Sequence, residues 1–358
     1  MGGSILIIGL GNLGKRIAAG LAGCVEVDEL LLAGRDARDG PPFAALLAAC
    51  GAARVRFEEL DAGRPSSVES LLRRERPDVV VQCASLLSPW HLASHPGPVS
   101  DALGSAGFAA QLPAQLPLIL NVMRSAREVD FRGAVVNCSF PDLTHPVLAG
   151  LGLAPTIGTG NVSMIRARVC AVLRERGAGR PPEARVLAHH AHLTPVMLSA
   201  PPAEGQTRPR VYLGAEGERA DELAFAGPPL RSDPGLNALS AASALPVIRA
   251  LLPGAAPLST SAPGPLGLPG GYPVRIADGQ VQLDLPGALS LEEALEFQRQ
   301  SARLDGVETI AGDGTVFFTE AAREILRGLH PALAEPLPPS EALNRFSLLR
   351  SVLVPDGE

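Results

Sequence analysis

Across the first 140 residues, short β-branched or aliphatic runs alternate with segments whose apolar positions recur at helical spacing, the pattern that specifies a parallel sheet covered by helices. Ser4-Ile5-Leu6-Ile7-Ile8 has almost no polar alternation and predicts a buried strand. Leu13, Ile17 and Leu21 come next at four-residue spacing and predict a helix with one apolar face. Further strands are expected at 29–33, 54–60, 78–84 and 133–138, with a long helix at about 111–129. Ser66-Ser67-Val68-Glu69 is a capping box and predicts the start of a helix carrying Leu71 and Leu72. Residues 86–107, rich in Pro, Ser, His and Gly, read as a long mobile loop around Trp90, the one tryptophan of the chain.

From Asp142 the pattern changes. Two helical stretches flank the turn at 155–160, a strand at 184–191 carries histidines, and Pro-rich breaks separate the later elements. Ser290-Leu291-Glu292-Glu293 is a second capping box, opening a helix to about Leu304. A hairpin is expected at 307–310 and 315–318 around Gly312-Asp313-Gly314, then a last helix and a Pro-rich tail. The reading is an α/β protein of two domains, 1–141 and 142–358, the second of α+β type.

Composition narrows the chemistry. The chain has 358 residues, 46% hydrophobic and 4% aromatic, enough for two aliphatic cores. With 31 Lys+Arg against 37 Asp+Glu and no basic stripe, nucleic acid is not an expected partner. Lys15 is the sole lysine, so any Schiff-base mechanism would have to run through it, because arginine does not lose its proton. Neither Tyr212 nor Tyr272 is followed four residues later by lysine, which excludes a Tyr-x-x-x-Lys site. The five cysteines form no C-x-x-C pair, which reads as a reduced cytoplasmic protein with no structural zinc. No apolar run reaches the roughly 18–20 residues of a membrane span, and the N-terminal apolar stretch reads as structure rather than a targeting signal.

Gly9-Leu10-Gly11-Asn12-Leu13-Gly14 is a G-x-G-x-x-G directly after a strand and opening a helix, so the first domain reads as a doubly wound Rossmann domain that binds a dinucleotide. About 20 residues on, where an NAD enzyme places an acid on the ribose, stand Gly34, Arg35 and Asp36. Gly34 leaves room for a 2′-phosphate and Arg35 offers a planar charged fork, favouring NADP over NAD; the alternative has Asp36 on the ribose and Arg35 as a solvated charge. Cys83, Ala84 and Ser85, and Asn137 with Cys138 and Ser139, end their strands where the nicotinamide half is expected.

His189-His190-Ala191-His192 is the densest titratable cluster. On a strand, His190 and His192 would share one face. The candidates are a proton donor for hydride transfer, a metal site, or structural histidines at a domain interface. The metal reading is the weakest, since no carboxylate or cysteine lies nearby in sequence.

The order of these features resembles the lactate/malate dehydrogenase family over about residues 4–305: the Gly-rich turn at 9–14, Val135 to Asp142, Gly158-Thr159-Gly160 with Asn161, Arg166 and Arg168 after it, the strand leading to His190, Thr194-Pro195-Val196, Gly271-Tyr272-Pro273-Val274, and the helix 292–304. The resemblance implies a two-domain oxidoreductase, usually dimeric or tetrameric, with His190 as acid. It also implies substrate contacts from Asn161, from Arg166 or Arg168, and from the loop holding Trp90. The departures are specific. Met164 stands where that family holds its histidine with an aspartate, and the segment 86–110 has no arginine. Gly34-Arg35-Asp36 and Pro77 to Ala84 also resemble saccharopine- or opine-dehydrogenase-like reductases, which implies reduction of an imine or carbonyl. The reading is an NADPH-dependent reductase of a C=O or C=N group in a small metabolite, with His190 or His192 donating the proton and 86–107 as a lid. Its rivals are an inactive NAD(P)-binding regulator and an imine-forming dehydrogenase.

Overall fold

The apolar run near the N-terminus becomes a central strand. The computed structural model describes residues 2–177 and 183–353. Strands β1 (Gly3–Ile8), β2 (Val27–Gly34), β3 (Arg54–Glu59), β4 (Val79–Gln82), β5 (Ala134–Asn137) and β6 (Ile157–Gly158) form one parallel sheet in the order β3-β2-β1-β4-β5-β6. That order is the doubly wound Rossmann topology. The sixth strand lies past the expected domain boundary at 141.

Both faces of this sheet are covered, which is why β1 shows no polar alternation. Ile5 and Ile7 face a core shared with Ile17 and Leu21 of helix Asn12–Ala22 and with Val247 and Ile248 of helix Leu236–Ala250. Leu6 and Ile8 face the opposite core, with Leu71 and Leu72 of helix Pro65–Glu75 and with Leu116 and Ile119 of helix Leu112–Glu128. Each such buried side chain contributes about 1.5–3 kcal/mol relative to exposure. A helix from the second half of the chain thus completes one face of the N-terminal sheet.

The rest of the chain adds small antiparallel sheets: Ala184–Leu187 with Arg210–Leu213 and Glu218–Arg219, Leu258–Pro263 with Gly271–Ala277 and Gln280–Leu283, and the hairpin Val307–Ile310 with Val316–Phe318. The capping box at Ser290 is present, with Ser290 Oγ accepting from the Glu293 amide at 3.2 Å. Helices Glu320–Leu329 and Ala342–Leu353 close the described chain and pack on helices Pro98–Ser105 and Leu112–Glu128.

Four local expectations are corrected. Residues 86–107 are no loop: they hold helices His91–Ser94 and Pro98–Ser105, the second started by Pro98 in its first turn. The helix expected to be capped at Ser66-Ser67 starts at Pro65 and takes both serines into its first turn. The Pro-rich tail contains the helix Ala342–Leu353. The histidine strand stops at Leu187, and His190–His192 form a 3-10 turn. Its capping histidines cause this: the His192 imidazole accepts from the His189 amide at 3.0 Å, so side-chain bonds replace the ladder and the strand alternation of His190 and His192 is lost. Among the described residues no single helix is long and apolar enough to cross a membrane.

Candidate active site

The Gly-rich turn divides its work among its three glycines. Gly9 has φ +101°, and a Cβ there would lie 2.5 Å from the Ala84 nitrogen; a Cβ on Gly14 would lie 2.0 Å from the Gly9 carbonyl oxygen. Those two glycines serve the turn and the helix–strand packing. Around a Cβ at Gly11 there is nothing within 4 Å, and the helix beginning at Asn12 has no side-chain cap. Its first amides therefore face an open cradle, and the residues present fit a pyrophosphate.

The cleft around this cradle measures about 460 Å³ and is lined by Gly9, Gly11, Asn12, Leu13, Gly14, Gly34, Arg35, Asp36, Cys83, Ala84 and Ser85. Asn137 is the expected cofactor residue that does not reach it. Its carboxamide is buried in the turn after β5, donating to Ser139 O at 3.1 Å and Thr144 Oγ1 at 3.0 Å, and Cys138 and Ser139 line the cleft instead. At the far end, Asp36 Oδ1 accepts from the Arg38 and Asp39 amides, both at 3.0 Å. The Asp39 amide first, then that of Arg38, hold the Asp36 carboxyl below the usual carboxylate range. Arg35 is exposed on the wall beside it, and Lys15 lies 5.3 Å over the Phe43 ring and 4.0 Å from Asp39.

A second cavity of about 640 Å³ adjoins the first, and Leu13, Pro89, Trp90, Cys138 and Asn237 line both. Trp90 Nε1 donates to Asn237 Oδ1 at 3.0 Å, and Asn237 Nδ2 donates to Asn12 Oδ1 at 3.0 Å. The expected lid is thereby tied to the Gly-rich turn through the helix Leu236–Ala250.

Of the three clustered histidines, His190 lines this cavity, its side chain 22% exposed. Its ring stacks on Phe108 at 3.4 Å between centroids, and Phe108 stacks on Phe140. His190 Nδ1 lies 3.0 Å from Asp305 Oδ1, so it donates there and leaves Nε2 toward the cavity, with no protein partner among the described residues. The expectation that His190 lacks an orienting carboxylate is therefore corrected. Met164 is indeed part of the cavity wall, but the carboxylate comes from Asp305, 115 residues further along. No sequence signal marked it, because it closes a helix far from the histidines.

Asp305 also holds His189, whose Nδ1 is 2.9 Å from its Oδ2. Burial opposes protonation of His189, yet the hydrogen bond and charge of Asp305, with Asp142 behind, push its pKa up overall. Burial would raise the Asp305 carboxyl, but the two histidines hold it well below the usual range, so it is ionised. The backbone fixes this group. A Cβ on Gly107 would lie 2.5 Å from the Asp305 carbonyl and one on Gly306 would lie 2.3 Å from Ala106 O, and the Ala109 amide donates to Asp305 O at 2.9 Å. The two chain segments cross at contact distance, which sets Phe108 and Asp305 on either side of His190.

His192 does not reach the cavity. Burial, then the neighbouring His189, push its pKa down to about 3; Nδ1 accepts from His189 N and Nε2 lies 3.1 Å from Thr207 Oγ1. Asn161 lines the cavity and donates to Asp142 Oδ2 at 2.6 Å. Arg166 does not line it: Nε donates to Ala184 O at 2.9 Å and NH2 to Ser259 O at 3.3 Å. Arg168 does not line it either: NH2 donates to Gly227 O at 2.6 Å and to Ser199 Oγ at 2.5 Å, and its buried Nε has no partner among the described residues. Among the described residues, no three His, Cys, Asp or Glu side chains form a group that could hold a metal.

His192 and His145, the latter pushed by burial to about 4, are buried neutral histidines. Their depressed pKa values contribute stability fully present above about pH 6.5, the unfolded value, and lost as pH falls toward 4 and then 3. Each steepens the unfolding equilibrium by up to about tenfold per pH unit in that window. Urea unfolding at stepped pH should show this acid loss, with a shallower slope in His192→Gln.

The sequence matches no family model and no curated protein. In structure, it resembles malate dehydrogenase from Archaeoglobus fulgidus, solved with NADH, at TM-score 0.52 and 16% identity over 84% of this chain and 97% of that one. Malate dehydrogenase from Plasmodium falciparum gives TM-score 0.51 and 14% identity over 85% and 96%.

The chain has the lactate/malate dehydrogenase fold.

A Bacillus subtilis protein provisionally assigned as a glucosidase, LplD, shares this dehydrogenase fold with it over 98% of this chain and 99% of its own, at TM-score 0.56 and 14% identity.

Proposed function

We propose that the protein is an NADPH-dependent reductase of a C=O or C=N group in a small metabolite. The observation that carries this reading is the His190–Asp305 pair lining a cavity that adjoins the cradle for a dinucleotide. A bound nicotinamide supplies the hydride. The chain binds the dinucleotide at Gly11 and the first turn of the adjoining helix and covers the cleft with Trp90 and the helices of 91–105. It supplies a proton from His190 Nε2, while ionised Asp305 holds the ring by Nδ1. Water exclusion by the cover strengthens these charges.

NADP is favoured over NAD because Asp36 Oδ1 is taken up by two loop amides while Arg35 stays exposed on the cleft wall. The cytoplasm and a homodimer or homotetramer complete the reading, supported by the reduced cysteines and by the likeness to dehydrogenases.

The test is one set of measurements: titration of wild type and Arg35→Ala with NADPH and NADH, then NADPH oxidation with a carbonyl and imine panel. Tighter NADPH binding that Arg35→Ala reduces about tenfold or more, with NADH unaffected, is expected. Equal affinity for both coenzymes overturns the NADP assignment. NADPH that binds but is oxidised by no panel member favours the inactive regulator. A second reading, glycoside cleavage, is favoured by the match to LplD across nearly the whole chain; release of nitrophenol from nitrophenyl glycosides would establish it.

A further inference from the structure

The larger cavity has a wall of unusual charge for its fold. No lysine or arginine lines it among the described residues. The two arginines best placed by sequence, Arg166 and Arg168, give their guanidinium protons to backbone carbonyls of the second domain. Two carboxylates already stand in or behind the wall. Asp305 is ionised in the wall, and Asp142, 1% exposed, receives the Asn161 side chain at 2.6 Å and the His190 amide at 2.9 Å at the start of helix Asn161–Glu175. The helix N-terminus that borders the cavity at Asn161 thus has a protein carboxylate against it.

Apart from the His190–Asp305 pair, the wall offers apolar surface and neutral polar atoms. Trp90, Leu92, Phe108, Met164, Leu193 and Leu236 supply the first. Gln111, 7% exposed, supplies the second: its carboxamide oxygen is buried with no hydrogen-bond partner among the described residues, a costly state that a ligand hydroxyl or amide N–H would relieve by donating to it once the side chain turns, while its Nε2 can donate to a ligand carbonyl. A volume of about 640 Å³ is in the range of sites for drug-sized molecules and exceeds the needs of a three- or four-carbon acid.

We propose that this cavity takes an uncharged substrate of moderate size with an apolar face, recognised through the neutral amide of Gln111, and that it selects against carboxylates. The proposal rests on the reading that the cavity beside the dinucleotide cleft is the substrate site.

The test is isothermal titration of the full chain saturated with NADP⁺, using phenylpyruvate and its uncharged methyl ester and amide as probes. The ester or the amide should bind at least tenfold more tightly than the acid. An acid that binds as tightly as either, or no binding by either neutral probe, overturns the proposal. Gln111→Arg should reverse the preference toward the acid; should that variant not fold, Ala93→Arg at the exposed rim places the same charge at the cavity and carries the same expectation. NADPH oxidation by the bound ester is measured separately. A probe that binds but is never reduced removes the reductase reading and leaves the substrate class standing.

Discussion

Asp305→Asn should lower reductase turnover by about 10²–10⁴-fold while leaving the NADPH dissociation constant within about twofold. The carboxylate lies 3.0 Å from His190 Nδ1 and 2.9 Å from His189 Nδ1, so it orients the first ring and pushes up the pKa of the second. An amide of the same shape holds the geometry without the charge, and it can present a donor where each imidazole also presents one. His190, the proposed proton donor, then loses the carboxylate that orients its ring in the cavity. Asp305 acts through His190, so a structural explanation has to be separated from a positioning one. Two readouts do so: His190→Asn should lower turnover to a similar floor with the double variant no worse, and the His189 imidazole should titrate at lower pH by NMR in Asp305→Asn, because the charge that pushes its pKa up is gone. Unchanged turnover in Asp305→Asn would remove the pair from the mechanism.

Gly11→Ala should weaken NADPH binding about 10- to 100-fold at undiminished stability. Gly11 has φ −71° and ψ −171°, backbone any residue adopts, and its Cβ would meet no protein atom within 4 Å. Less freedom in the unfolded chain could only add a few tenths of a kcal/mol or so in favour of folding. The methyl would instead fill the space a pyrophosphate needs. Gly9→Ala is the control with the opposite cause: φ +101° and a contact of 2.5 Å to backbone predict a loss of about 2–5 kcal/mol in folding stability. Denaturant unfolding and nucleotide titration of the two variants give a crossed pattern. Equal nucleotide affinity in Gly11→Ala would mean the cradle does not hold the cofactor.

The parallel sheet was legible because its strands are buried on both faces, so their apolar runs stand out without needing tertiary information; β1, β2 and β5 lie close to where the runs place them. The nucleotide turn was legible for a related reason, since its steric demands are met within six consecutive residues. The histidine segment was not. Strand periodicity put His190 and His192 on one face, but the His192 imidazole, accepting from the His189 amide, turned the chain and sent His192 into the core. The segment 86–107 misled in another way: its Pro and Gly content, read as loop, starts and punctuates short helices that pack on the C-terminal helices.

By itself, then, the sequence determined the Rossmann half, the dinucleotide turn, and the absence of any lysine from the second half of the chain, because each is a local pattern or a count. Tertiary structure alone decided which histidine faces the cavity, which carboxylate holds it, and that the candidate substrate arginines are committed to backbone carbonyls. The physical reason is range. A turn or an apolar run is satisfied by neighbours in the chain, whereas the Asp305–His190 contact exists because two distant backbone segments, at Ala106–Gly107 and Asp305–Gly306, cross at contact distance where a larger residue would not fit.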